Sequence, residues 1–129
     1  MRILLINSNQ FKIPFPVIPI GLCYIASTLE REGYEVKILD LCFVKKTERI
    51  ISDTINSYKP DILGVSIRNI DTANGSKEDF LIKDVKVKVT DYCKKNFSGP
   101  IVIGGASVGI NGEEILKYLD LEYAIYGDG

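Results

Sequence analysis

Five short apolar runs, separated by longer segments of helical period, constrain this 129-residue chain more than any other feature. Ile3-Leu4-Leu5-Ile6 is apolar without interruption, as a strand buried on both faces of a parallel sheet must be. Val36-Lys37-Ile38-Leu39, the stretch from Ile62 to Ile67, Ile101-Val102-Ile103 and the stretch from Tyr123 to Tyr126 repeat the signal down the chain. Between the first two runs Leu22, Ile25, Ala26 and Leu29 recur at i, i+3, i+4 and i+7, which is one face of a helix, and Gly33 reads as its stop. Ile51, Thr54, Ile55 and Tyr58 repeat that spacing before Lys59-Pro60 ends the second helix. Leu81, Val85, Val89 and Tyr92 mark a third, closed around Asn96 to Pro100. Ile115, Leu116 and Leu119 mark a short fourth, with Glu113 and Glu114 in its first turn, where the helix dipole favours negative charge.

The resulting order, βαβαβαβαβ, needs crossover connections, and these are right-handed. It predicts an α/β fold: a doubly wound, parallel, five-stranded sheet with helices on both faces, Rossmann-like in the broad sense. The flavodoxin-like strand order 2-1-3-4-5 is expected, because the chain is too short for the six strands of a dinucleotide-binding order. One domain takes up residues 1–129. The fifth run is followed at once by Gly127-Asp128-Gly129, with no helix to cover it, so the chain is expected to be the N-terminal fragment of a longer enzyme.

Composition narrows the function. With 16 basic and 17 acidic residues the net charge is -1, which gives no field for gripping a nucleic-acid backbone. No apolar run approaches the roughly 20 residues that span a bilayer. The run from Ile3 to Ile6, followed by Asn7-Ser8-Asn9, is too short for a signal peptide, so a cytoplasmic protein with neither membrane nor nucleic acid as partner is expected. The chain has no histidine, which excludes Ser-His-Asp and Cys-His catalysis and any imidazole metal ligand. Cys23, Cys42 and Cys93 are widely spaced and form no Cys-x-x-Cys pair, so neither a zinc site nor an iron–sulfur cluster is expected here. They read as small core residues, and no catalytic or metal-ligating set emerges.

In open α/β sheets ligands sit beyond the carboxyl ends of the strands, near the switch in strand order. The loop after strand 1, from Asn7 to about Pro19, is long for its kind and carries Pro14, Pro16 and Pro19 among Phe11, Ile13, Phe15, Val17 and Ile18. It is either an apolar platform, centred on Phe15 and Pro16, under a flat ligand or a neighbouring domain, or a loop folded onto its own core. It has no glycine before Gly21, so it is not a phosphate cradle. The loop after strand 3 opens Ser66-Ile67-Arg68-Asn69-Ile70-Asp71 and runs to about Glu78. Ser66, Arg68 and Asn69 either face a ligand or make local turns. Gly104-Gly105 after strand 4 lets a ligand or another backbone approach closely, and Gly127 after strand 5 carries the same ambiguity.

Taken in order, these residues resemble a known family. The stretch Pro19-Ile20-Gly21-Leu22-Cys23-Tyr24-Ile25-Ala26, leading to Glu32-Gly33-Tyr34-Glu35-Val36, is similar to the N-terminal cobalamin-binding domain of radical SAM enzymes. So are Pro60-Asp61-Ile62-Leu63-Gly64-Val65-Ser66, Gly104-Gly105, Glu113-Glu114-Ile115-Leu116 and Tyr126-Gly127-Asp128-Gly129. The resemblance implies a Rossmann-like domain ahead of a C-terminal radical SAM domain in cis, which holds S-adenosylmethionine and a 4Fe-4S cluster, with methyl transfer or related radical chemistry done there. It implies cobalamin as this domain's small-molecule cofactor, its nucleotide tail entering the carboxyl-end crevice. Ser66 would bond the tail's base or ribose, and Gly104 and Gly105 would leave it space. The wider fold often has an Asp-x-His-x-x-Gly loop whose histidine ligates cobalt, and this chain lacks it. Many radical SAM members lack it too and hold cobalamin base-off, and the apolar loop from Phe11 to Ile18 would then fill the lower face.

Two rivals stand beside this reading. One is a cobalamin-free scaffold or substrate-docking domain of the same architecture, which a crevice filled by side chains would favour. The other is a different flavodoxin-like module. A phosphoacceptor receiver needs an acidic cluster ending strand 1 and an aspartate ending strand 3, where this chain has Asn7-Ser8 and Ser66, and a flavin binder needs a Ser/Thr-rich loop that is also missing.

Overall fold

A computed structural model describes residues 1–72 and 80–127. Strands β1 (Arg2–Asn7), β2 (Glu35–Asp40), β3 (Ile62–Ser66), β4 (Ile101–Gly104) and β5 (Tyr123–Ala124) form one parallel sheet in the order β2-β1-β3-β4-β5. Helices α1 (Ile20–Arg31), α2 (Thr47–Tyr58) and α5 (Ala106–Leu119) fill three of the four crossovers. The third is a helical rod made of α3 (Leu81–Asp84), a π-helical stretch (Val85–Thr90) and α4 (Asp91–Asn96). The expected fold and strand order are those observed.

Crossover direction decides which face each helix covers. Only the β1–β2 connection runs one way along the sheet; the other three run the opposite way. Right-handed crossovers therefore place α1 alone on one face and α2, the rod and α5 together on the other. The larger core cluster lies on that second face, where Leu4, Ile6, Leu63, Val65, Ile101 and Ile103 from the sheet meet Ile51, Ile55, Val89, Val108, Ile115 and Leu119. Full burial of each such side chain stabilises the fold by about 1.5–3 kcal/mol. The α1 face holds a smaller cluster of Ile3, Leu5, Leu22 and Ala26. No helix among the described residues extends that cover over β4 and β5, and Tyr123 is half exposed.

Three sequence expectations need correction. Cys23 is exposed on α1, so only Cys42 and Cys93 are the core residues the composition suggested. The fourth helix begins at Ala106, not near Glu113; a kink at Asn111 (φ -130°, ψ 40°) breaks its periodicity, and the acidic pair follows that kink. The fifth strand pairs over Tyr123–Ala124 only, shorter than its apolar run. The third helix also buries Ile82 and Cys93, whereas Leu81 and Tyr92, expected at those places, are only half buried. A π-helix winds more slowly than an α-helix, which stretches the spacing of inward positions.

Candidate functional site

The switch in strand order falls between β1 and β3, so a ligand crevice belongs above their carboxyl ends. Strand alternation puts Asp40, Asn7, Ser66 and Gly104 on the α1 face in one row, since Asn7 pairs with Asp40 and with Ser66, and Ser66 with Gly104. One pleat below lie Ile38, Leu5, Gly64 and Val102. Over β3 and β4 this face thus carries two glycines and a serine, a side-chain-poor trough beside α1. Its floor is not equally open. A Cβ at Gly64 would come within 2.7 Å of Leu5 Cδ2, so Leu5 already leans into that space, whereas at Gly104 it would meet only the Ile125 carbonyl at 3.8 Å.

The trough's rim is held by polar side chains. Asn7 Nδ2 donates to Asp40 Oδ1 at 2.8 Å, and the same oxygen accepts from the Cys42 amide at 3.0 Å. The Ser8 hydroxyl and amide both donate to the Ser66 carbonyl, at 2.7 and 3.3 Å. Ser66 is half buried, and its own hydroxyl engages no partner among the described residues. Gly105 differs from Gly104. It has φ +104°, and a Cβ there would lie 2.7 Å from the Ile67 carbonyl oxygen. Gly105 therefore admits another backbone, while Gly104 faces open space.

Beyond β3 the Arg68 side chain is exposed and the Asn69 side chain half buried, neither with a partner among the described residues. Both border a pocket of about 140 Å³ at the switch point. Its other walls are the β1 exit from Ser8 to Phe11 and, from the rod, Leu81, Asp84, Val85 and Val89. It is too small for a large cofactor, which would have to spread over the edge outside it. The expected continuation of this loop to Glu78 lies outside the described residues.

The loop after β1 does not fold back onto the core. Its first residues are tightly fastened: Gln10 Nε2 reaches the Leu41 and Val44 carbonyls at 3.3 Å and Thr47 Oγ1 at 2.9 Å. Asn9 Oδ1 accepts from the Phe11 amide at 3.2 Å, and the Lys12 ammonium lies 4.9 Å from the Phe43 ring centre. Past that stalk Ile13, Phe15, Val17 and Ile18 are exposed, Phe15 by 76%. Gly127 follows β5 with φ +82° and open space around it, and a Cβ on Gly109 of α5 would lie 4.0 Å from its nitrogen.

The structure thus brings Ser66, Gly104, Gly105, Arg68 and Asn69 to one stretch of the sheet edge, with Gly127 beside α5 and with Phe15 and Pro16 out on the exposed loop. Sequence reasoning singled out neither Asn7 and Asp40, which complete the row, nor Ser107, which bonds the loop after β3. Asp40 ends an apolar run as Ser66 does, a signal available in the sequence; Ser107 gave none, because its helix was not expected to start there.

Comparison with known proteins agrees with this geometry. Residues 10–129 match the family model described as the B12 binding domain. A tryptophan 2-C-methyltransferase from Streptomyces laurentii is 29% identical over 126 residues, which is 97% of this chain and 20% of that protein. This chain therefore spans about a fifth of the curated relative's length. The radical S-adenosylmethionine methyltransferase TsrM from Kitasatospora setae, solved with cobalamin and a 4Fe-4S cluster bound, matches with a TM-score of 0.90 at 25% identity, over 98% of this chain and 22% of its own. The cobalamin-dependent S-adenosylmethionine radical enzyme OxsB shares the fold at 17% identity, with a TM-score of 0.60 over 90% of this chain and 15% of its own. A side-chain-poor trough at the switch point of a 2-1-3-4-5 sheet, and a family match across nearly the whole chain, lead to one conclusion: the chain belongs to the B12-binding domain family.

Proposed function

We propose that this chain is the cobalamin-binding module of a radical S-adenosylmethionine enzyme that transfers methyl groups or does related radical chemistry. The observation that carries the reading is the open trough on the α1 face, floored by Gly104 and edged by Ser66. A nucleotide tail needs a channel without side chains and a donor at its mouth, and these residues fit it. Ser66 donates to the tail's base or ribose, while Gly104 leaves the space a Cβ would fill. Arg68 and Asn69 meet the polar groups of the corrin, Phe15 and Pro16 cover its lower face, and Gly127 borders the site from β5. Gly105 contributes indirectly, by letting α5 start close against Ile67.

When bound, cobalamin supplies a cobalt centre able to carry a methyl group. This chain's residues bind and orient it. S-adenosylmethionine and the 4Fe-4S cluster are assigned to a C-terminal radical SAM domain in cis, of which residues 1–129 are the N-terminal neighbour, in the cytoplasm. Among the described residues no helix is long and apolar enough to cross a membrane, and no cluster of metal-ligating side chains occurs. An open trough, rather than one filled by side chains, speaks against a cobalamin-free scaffold.

The test is direct. Full-length protein mixed with hydroxocobalamin and passed through gel filtration should elute with corrin absorbance. Elution free of corrin overturns the reading.

A further inference from the structure

The chain leaving β3 is restrained more firmly than a solvent loop requires. The carbonyls of Ser66, Ile67 and Arg68 are each bonded in turn: the first by Ser8, the second by the Ser107 amide at 3.3 Å, the third by the Ser107 hydroxyl at 2.6 Å. The Ile67 amide donates to the Gly104 carbonyl at 2.8 Å, and Gly105 packs flat against the same peptide. Yet the Arg68 side chain these bonds carry is exposed and pairs with nothing among the described residues.

Ser107 is 5% exposed and sits in the first turn of α5. A serine near a helix start ordinarily turns its hydroxyl to that helix's own amides. Here the hydroxyl bonds a carbonyl of another element. Fixing the Arg68 carbonyl fixes the peptide plane after Arg68, and with it the direction in which the side chain leaves the backbone. A guanidinium is always charged and carries a planar fork of donors, so it gains most when its base is held in one orientation. We infer that Ser107 is a positioning residue: it clamps the Arg68 backbone so that the guanidinium projects over the switch point toward the corrin's amide carbonyls or the tail's phosphate. The inference rests on the cobalamin reading above.

A double-mutant cycle on the full-length protein tests it, with hydroxocobalamin binding as one readout and the visible circular dichroism of the bound corrin as the other. Arg68→Ala and Ser107→Ala should each weaken binding by about fivefold. Their combination should be no worse than Arg68→Ala within about twofold, since the clamp has nothing left to aim. Both single variants should change the corrin dichroism in the same sense, which a serine with a purely structural role would not do. Should Ser107→Ala melt below the assay temperature, Ser107→Cys, which keeps the volume and weakens the donor, takes its place. Losses that multiply, or an unchanged dichroism in the Ser107 variant, overturn the inference while leaving cobalamin binding intact. A parent protein that retains no corrin overturns the cobalamin reading and the inference together.

Discussion

Gly104 and Gly105 are adjacent, and the fold asks opposite things of them. A side chain at Gly105 meets the Ile67 backbone and must adopt φ +104°, so Gly105→Ala should destabilise the protein by about 1–3 kcal/mol in urea titration. Gly104→Ala places a methyl in open space, so its stability should stay within about 0.5 kcal/mol of the parent while corrin binding weakens. The sequence offered the pair as one signal, because nothing in two consecutive glycines says which faces a ligand and which faces another strand's exit. The cysteines separate in the same way. Burial pushes the Cys93 thiol up to about 12, and Cys42 is 2% exposed, whereas Cys23 is open on α1. A thiol reagent at neutral pH should therefore modify Cys23 in the native protein and reach the other two only on unfolding.

The rod between β3 and β4 carries the clearest pH dependence. Lys86 Nζ lies 2.9 Å from both Asp91 oxygens and Lys94 Nζ lies 3.3 Å from Oδ1. These bonds, Lys86 first, hold the Asp91 carboxyl below its ordinary value of 3.8. Because the folded value is the lower one, the contribution is complete above the unfolded value and vanishes as pH falls through the folded value. Asp91→Asn should cost about 1 kcal/mol at neutral pH and almost nothing below about pH 3, read from urea midpoints across pH. Strands and helices were readable wherever one period ran uninterrupted, as in β1, α1 and α2. The start of α5 was hidden because Gly109, Asn111 and Gly112 interrupt its apolar spacing, so the helix that delivers Ser107 to the site went unseen.

The domain as a whole offers a bound corrin no imidazole, since the sequence contains no histidine. The cob(II)alamin form held base-off should therefore give an electron paramagnetic resonance spectrum without nitrogen superhyperfine splitting; three-line splitting in this chain would show the cofactor's own base still coordinated. Strand order and the family's ordered segments were apparent from the residues alone. What they could not convey was one-sidedness. Three crossovers running the same way stack their helices on a single face and leave the β4–β5 half of the other without a helix among the described residues.

The π-helical stretch from Val85 to Thr90 also fixes what the chain can lose. Its wide turns put residues five apart over one another, which is how Lys86 meets Asp91. Removing a single residue there would let the rod close into a plain α-helix, and everything after it would rotate by about 100°. Cys93 would swing away from the core and Lys94 away from the Leu119 carbonyl that it now bonds at 3.0 Å. In aligning relatives, a one-residue gap between positions 85 and 90 thus marks a rotated helix rather than a trimmed loop.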